Sequence, residues 1–485
     1  MDSLMFAYLL ALILPAAVHL NKLNHEPEAI VYPSLLEARI DNAAKTVHLG
    51  DGNLLSLQKA SVLRDTLTVH SFEDNKRIIQ TIKSEEIEGK LYENKHSLAS
   101  LLLHETTHGI LMEGLINHSY SIEPSFESER SQIGQVAHKI FKVRSETATF
   151  NDSVMDFDLS PDHLQIEARG DLPEVFSPDV FVISDYEHNK DFQTTKRLIA
   201  YLVVFFNGVK LRYESVHYPR IVPRLVGVER AERGKEPYVV MHGSDMIAEY
   251  TLQNLQSYVE QRLTDFKGVD AVLLITGRTM VSVSTGRIRP GVAGLAMTGG
   301  LCSRRRVAES LDIGRGYSGI VHAAHELAHL MGSSHDQAGP VAGIPGNQGA
   351  YHCRWSDGYI MSYDYKDQNQ FRFSSCSQEQ FQVFLRIVPA TCIASTWAHK
   401  PPKPSRRYPG DMLSRNKFCR RESGFLASKE CTQRSGRDLC KITCCPGTDL
   451  YRRPTDRAEY WCLDGTNCGH KQECYSGECR PKRRK

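Results

Sequence analysis

The spacing of apolar residues changes period several times along this chain, and each change marks a different kind of element. Leu4–Val18 is a continuous apolar run too short to cross a bilayer. Gly109–Pro124, centred on Ile116-Asn117-His118-Ser119-Tyr120-Ser121-Ile122, alternates with the two-residue period of β structure. Asp179–Asp185, with Val180, Phe181, Val182 and Ile183 in succession, reads as a strand buried on both faces. Thr194–Phe206 has helical spacing, and its apolar centre, Leu198–Phe206, predicts a buried helix. Further strands are predicted over 219–228 and 269–276. The alternation of strands and helices predicts an α/β domain with a mixed, twisted sheet over helices.

One later stretch carries chemistry. His325-Glu326-Leu327-Ala328-His329 places two imidazoles one helical turn apart on the same face, where both can reach one zinc ion. Gly332 can take the left-handed conformation that ends a helix, and His335 then returns as a third nitrogen ligand. Three protein ligands leave a fourth position open, the arrangement of a catalytic rather than a structural zinc. Glu326 stands beside a ligand without being one, and is placed to act as general base. His322 lies on the same face one turn earlier, but the trio already fills the protein positions, so His322 is read as supporting or core. A second short match, His104-Glu105-Thr106-Thr107-His108, lacks both the glycine and the third histidine, and its Thr106-Thr107 pair disfavours a helix.

Cysteine usage and charge divide the chain. All 13 cysteines lie at or beyond Cys302, nine of them after residue 400. With the apolar run ending in Pro15-Ala16-Ala17-Val18, this predicts an exported, disulfide-bonded protein with a signal segment at 1–19. No later run is long enough for a membrane span. Residues 20–173 are free of cysteine and contain two glycosylation sequons, at Asn117 and Asn151. Lys400-Pro401-Pro402-Lys403-Pro404 opens a linker over 400–410. The cysteine-rich segment 411–485 follows. Residues 400–485 hold 21 Lys+Arg against 10 Asp+Glu, although the whole chain has a formal charge of only +2. Such a tail suits sulfated glycans or acidic protein surfaces, and export argues against nucleic acid. Nine cysteines cannot all pair, and the adjacent Cys444-Cys445 is the expected place of the surplus one.

The long motif 325–336 resembles that of the metzincin zinc endopeptidases, and Asp336 after the third histidine resembles the adamalysin (reprolysin) branch. Tyr359-Ile360-Met361-Ser362-Tyr363 is similar to the family's methionine turn, which implies that Met361 forms an apolar floor beneath the metal. The resemblance also implies a β-rich propeptide over 20–173 and a protease domain over 174–399, with protein substrates lying extended along Gly294–Met297. It implies disulfides Cys302–Cys392 and Cys353–Cys376, and a calcium site using Asp179 and Asp270. The tail resembles the disintegrin-like module of the ADAMs with thrombospondin motifs, and the whole layout resembles salivary metalloproteases of ticks. Tyr363 departs from the adamalysin pattern. Its phenol could donate to the oxyanion of a reaction intermediate, as a tyrosine there does in astacins, or the ring could simply pack beside the floor. A catalytically weak protein that binds through its basic tail is the rival reading. The retained Glu326 and ligand trio weigh against it.

Overall fold

A computed structural model describes residues 27–35, 44–50, 53–73, 76–143, 171–283, 286–362, 364, 367–393, 410, 413–423, 428–431, 439–445, 458–463, 465–475 and 478–482. The signal segment 1–19, Asn151, Tyr363 and nearly all of the linker lie outside them.

The central element is a seven-stranded sheet whose strands come from both sides of residue 173. In chain order these are β1 (Leu63–Glu73), β2 (Lys76–Lys83), β3 (Asp179–Ser184), β4 (Arg224–Arg230), β5 (Ala271–Thr276), β6 (Gly294–Ala296) and β7 (Val307–Leu311). Their spatial order is β6-β7-β5-β3-β4-β1-β2. The pairs from β7 through β1 are parallel, while β6 and β2 run antiparallel to their neighbours. The interior strands β3, β5 and β7 are buried at every residue. The unbroken apolar runs of β3 (Val180–Ile183) and β5 (Ala271–Ile275) follow from having both faces covered, whereas β7 also buries Glu309 and Ser310.

Helix α1 (Thr195–Arg212) is longer than the apolar pattern suggested, and its N-cap Thr194 accepts from the Arg197 amide at 3.2 Å. It is buried almost all round because it lies between two layers. On one side is the seven-stranded sheet with helix α3 (Ile320–Leu330). On the other is a nine-stranded antiparallel sheet, built from residues 29–142 and ordered from Ala29–Val31 through Ala137–Lys142 to Ser34–Leu35. Ser100 of that sheet donates to the Val204 carbonyl at 2.9 Å, and Asn207 donates to the Ser100 hydroxyl at 3.1 Å. Helix α2 (Ala248–Glu260) packs near β6 and β7.

The alternating stretch around 109–124 forms two strands, Gly109–Leu115 and Tyr120–Ser125. Asn117 sits in the turn between them, its side-chain oxygen accepting from the Ser119 and Tyr120 amides. The short match at His104 lies on the strand Ala99–Thr106 and the following hairpin turn, all five residues exposed. His104 is on the strand and His108 in the turn, and they form no metal cluster among the described residues.

The sequence placed a domain boundary at residue 173, and the sheet crosses it. Strands β1 and β2 come from the predicted propeptide yet extend the protease sheet beyond β4. Segments 60–115 and 172–392 share one apolar cluster. A chain read by local pattern cannot show this, because parallel pairing joins residues about 160 positions apart: His70 faces Glu229.

Six disulfides are present. Cys302–Cys392 and Cys353–Cys376 join the residues that the family resemblance implied. In the tail the bonds are Cys419–Cys444, Cys431–Cys445, Cys440–Cys474 and Cys468–Cys479. The expectation for the surplus cysteine is corrected: Cys444 and Cys445 both pair, and the buried Cys462 is outside the six bonds. Adjacent side chains on a strand point to opposite faces, so each of the two meets its own partner. Among the described residues no helix is long and apolar enough to cross a membrane.

Candidate metal centre

Helix α3 begins where Asp312 fixes the preceding loop. Its buried carboxylate accepts from the Gly319 amide at 2.9 Å, the Tyr201 hydroxyl at 2.6 Å and the His188 ring at 3.2 Å. Although burial opposes ionisation, the bonds from His188, Tyr201 and Gly319 hold Asp312 below the usual carboxylate range. The helix ends in a Schellman motif. The Ser333 amide donates to Ala328 O at 3.1 Å and the Gly332 amide to His329 O at 2.8 Å. Gly332 has φ of +78°, and a Cβ there would come within 2.8 Å of Ile344. Both facts require glycine, as the sequence pattern predicted.

The turn brings the third histidine back over the helix. The Nε2 atoms of His325, His329 and His335 form a triangle with sides of 3.0, 3.1 and 3.2 Å. Three nitrogens bound tetrahedrally at about 2.0–2.1 Å from one ion stand about 3.3 Å apart, so the triangle fits a single zinc. The far side of two rings fixes the tautomer. Nδ1 of His325 donates to the Ile360 carbonyl and Nδ1 of His329 to the Ser333 carbonyl, each at 2.7 Å. A carbonyl can only accept, so the proton sits on Nδ1 and the Nε2 lone pair is directed at the shared point. His322 is half-buried and outside this group.

The loop with His335 is held from three directions. The Asp336 amide donates to Met361 O at 3.0 Å. The Asp336 carboxylate accepts from Ser374 Oγ at 2.6 Å, and burial raises its pKa to about 6 despite that bond. Gln380, on helix α4 (Ser375–Leu385), accepts from the Ser334 amide and hydroxyl, while Asn347 bridges Gln380 Oε1 to Gly332 O. Met361 is fully buried in a tight turn, where the Ser362 amide donates to Tyr359 O at 2.9 Å. The turn's backbone touches both His325 and Asp336, and Cys353–Cys376 encloses it in sequence.

Glu326 is 2 % exposed and lies against β6, the edge strand. A Cβ on Gly294 would stand 2.3 Å from Glu326 Oε1 and 2.6 Å from its Cγ and Cδ, so the missing side chain makes room for the carboxylate. Beyond β6 the Gly299 and Leu301 amides donate to His329 O and Leu330 O, tying the edge strand to the end of α3. Glu326, the three histidines and the outer edge of β6, which no strand pairs with among the described residues, are thus adjacent. Gly294, Gln380, Asn347 and Ser374 carry no local sequence signal for these roles, because each acts through a residue 15 to 46 positions away.

The calcium expectation meets a different arrangement. Arg224 Nε lies 2.8 Å from Asp179 Oδ1, and Arg64 of β1 stands 3.1 Å from Oδ2. Two guanidinium groups satisfy a carboxylate that a calcium ion would need, and they repel a further cation. Asp270 accepts from the Asp179 amide at 2.8 Å, and burial pushes its pKa up to about 7. The nearby sulfurs of Cys302 and Cys392 are bonded to each other and offer no thiolate.

Comparison with known proteins agrees with this geometry. Residues 185–396 match the model of the reprolysin (M12B) family of zinc metalloproteases. A silkworm (Bombyx mori) protein named as like a disintegrin and metalloproteinase with thrombospondin motifs is 32% identical over 335 residues, 64% of this chain and 45% of its own length. The chain therefore spans less than half of that relative. Two scorpion venom metalloproteinases are covered more fully. The antarease-like TtrivMP_A of Tityus trivittatus is 27% identical over 65% of this chain and 82% of its own length. BumaMPs1 of Olivierus martensii is 26% identical over 79% and 95%. Residues 185–396 are thus a reprolysin (M12B) zinc-metalloprotease domain.

Proposed function

We propose that the chain is an exported, zinc-dependent endopeptidase acting on extracellular proteins. The observation that carries the proposal is the convergence of three Nε2 atoms with Glu326 packed against an open strand edge. His325, His329 and His335 hold the metal. Zinc, when bound there, supplies Lewis acidity toward water and the scissile carbonyl. Glu326 takes the proton of the attacking water and later passes it to the leaving amine. Its burial beside the metal site keeps bulk water from competing for that proton.

The substrate lies extended along β6, antiparallel to β7 on that strand's inner side, and adds a strand to the sheet. Main-chain hydrogen bonds from β6 provide affinity, and side-chain pockets provide selectivity. Met361 supports the site from below, holding the turn that positions His325 and Asp336. Matrix or haemostatic proteins are the proposed substrates, by resemblance to the family. The basic tail attaches the enzyme to sulfated glycans or acidic surfaces.

Glu326→Ala tests the mechanism. The variant should fold, bind about one zinc per chain and hydrolyse no peptide. Zinc-loaded protein with near wild-type turnover would remove Glu326 from the mechanism. A cleavage profile on a proteome-derived peptide library identifies the substrate preference.

A further inference from the structure

The segment that resembles a propeptide shares a sheet and an apolar core with the residues after 173. Strand β1 pairs in parallel with β4, with Leu63 opposite Leu225, Thr68 opposite Gly227 and Val69 opposite Val228. The Leu225 amide donates to Val62 O at 2.8 Å. Leu63, Leu67, Val69, Leu91, Leu102 and Leu115 belong to the same buried apolar cluster as Val180, Phe181 and Val204. Removing residues 44–143 would uncover that cluster along one sheet edge and one side of α1.

Polar contacts follow the same seam. Lys210 of α1 pairs with Glu93 at 2.7 Å, both side chains 7 % exposed, and also donates to Ser61 O at 3.1 Å. Arg77 pairs with Asp265 at 2.6 Å, and Arg64 with the buried Asp179. If the segment left, Lys210 would lose both partners, and Asp179 one of its two guanidinium groups. Gly114, with φ of +135°, lets the nine-stranded sheet approach α1. A Cβ there would stand 3.0 Å from Val204 and 2.4 Å from Ser100 O.

At β1 this seam is remote from the substrate edge, while its other end reaches the loop before α3, where Glu123 pairs with Arg315 at 2.8 Å. Strand β1 lies five steps from β6 across the sheet. At about 4.8 Å per step the separation is about 24 Å. We propose that residues 44–143 are a permanent structural partner of the protease domain, retained after any cut between 144 and 170. A cut in that segment then yields a two-piece enzyme whose cleft edge is not blocked by the docked sheet. The second statement rests on the peptidase reading above. The first does not.

The test uses the full chain with a site-specific protease sequence introduced within residues 150–160 and cut after folding. Both pieces should co-elute on gel filtration in native buffer and separate only in denaturant. The cut complex should hydrolyse a fluorogenic peptide mixture without shedding the N-terminal piece. Pieces that elute apart in native buffer, with the C-terminal piece still folded and zinc-loaded, would overturn permanent docking. Co-eluting pieces whose activity appears only after the N-terminal piece is stripped would overturn the open cleft. Activity absent from every species would count against the peptidase reading, while co-elution would still decide the docking.

Discussion

Gly294→Ala is the smallest change that reaches the proposed base without touching a metal ligand. The added Cβ would stand 2.3 Å from Glu326 Oε1 and 2.6 Å from Cγ. Ordinary non-bonded contacts of these kinds lie near 3.3–3.8 Å, so the Glu326 side chain must move by about 1 Å. Sliding only the carboxylate tip does not relieve the clash, because Cγ is also involved and the residue is 2 % exposed. A misplacement of about 1 Å at a reacting group costs on the order of 10²-fold in rate, or about 2.7 kcal/mol of transition-state stabilisation. The variant should therefore lose about two orders of magnitude in kcat/KM on a fluorogenic peptide while keeping one zinc per chain. Zinc content by mass spectrometry and a thermal melt complete the assay, since His325, His329 and His335 are untouched. A variant within twofold of wild-type activity would refute the argument, because it would mean that Glu326 tolerates displacement or is not the base.

Three further outcomes are expected. Asp270→Asn tests the buried carboxyl whose pKa is raised to about 7. The unfolded value is about 3.9, so between about pH 4 and 7 the folded protein holds a proton that the unfolded chain releases, and stability falls as pH rises through that window. The amide variant avoids this loss, so its melting temperature relative to wild type should climb from pH 4 to 8; a constant difference would sink the idea. Truncation after His399 should spare short-peptide cleavage and abolish salt-sensitive retention on heparin resin, and equal retention of both forms at every salt concentration would rule out the tail's attachment role. Tyr363→Phe decides between a donor and a packed ring: a fall in kcat of about tenfold or more with KM unchanged marks a donor, and unchanged kcat marks packing.

The metal centre was legible in the sequence because its parts are local. Two histidines one turn apart, a glycine that must be left-handed and a histidine three residues later are fixed by helix geometry alone, and α3 and its Schellman turn reproduce that spacing. Strands β3 and β5 were equally readable, since burial on both faces leaves an unbroken apolar run. The long-range partners could not be read. Nothing near Gly294 announces Glu326, nothing near Gln380 announces Ser334, and the two arginines that meet Asp179 come from β1 and β4. That the central sheet takes strands from both sides of residue 173 could not be read for the same reason. The pairing of β1 with β4 depends on which edges meet in three dimensions. Sequence periodicity determines the face an element buries, and only the tertiary fold decides what it is buried against.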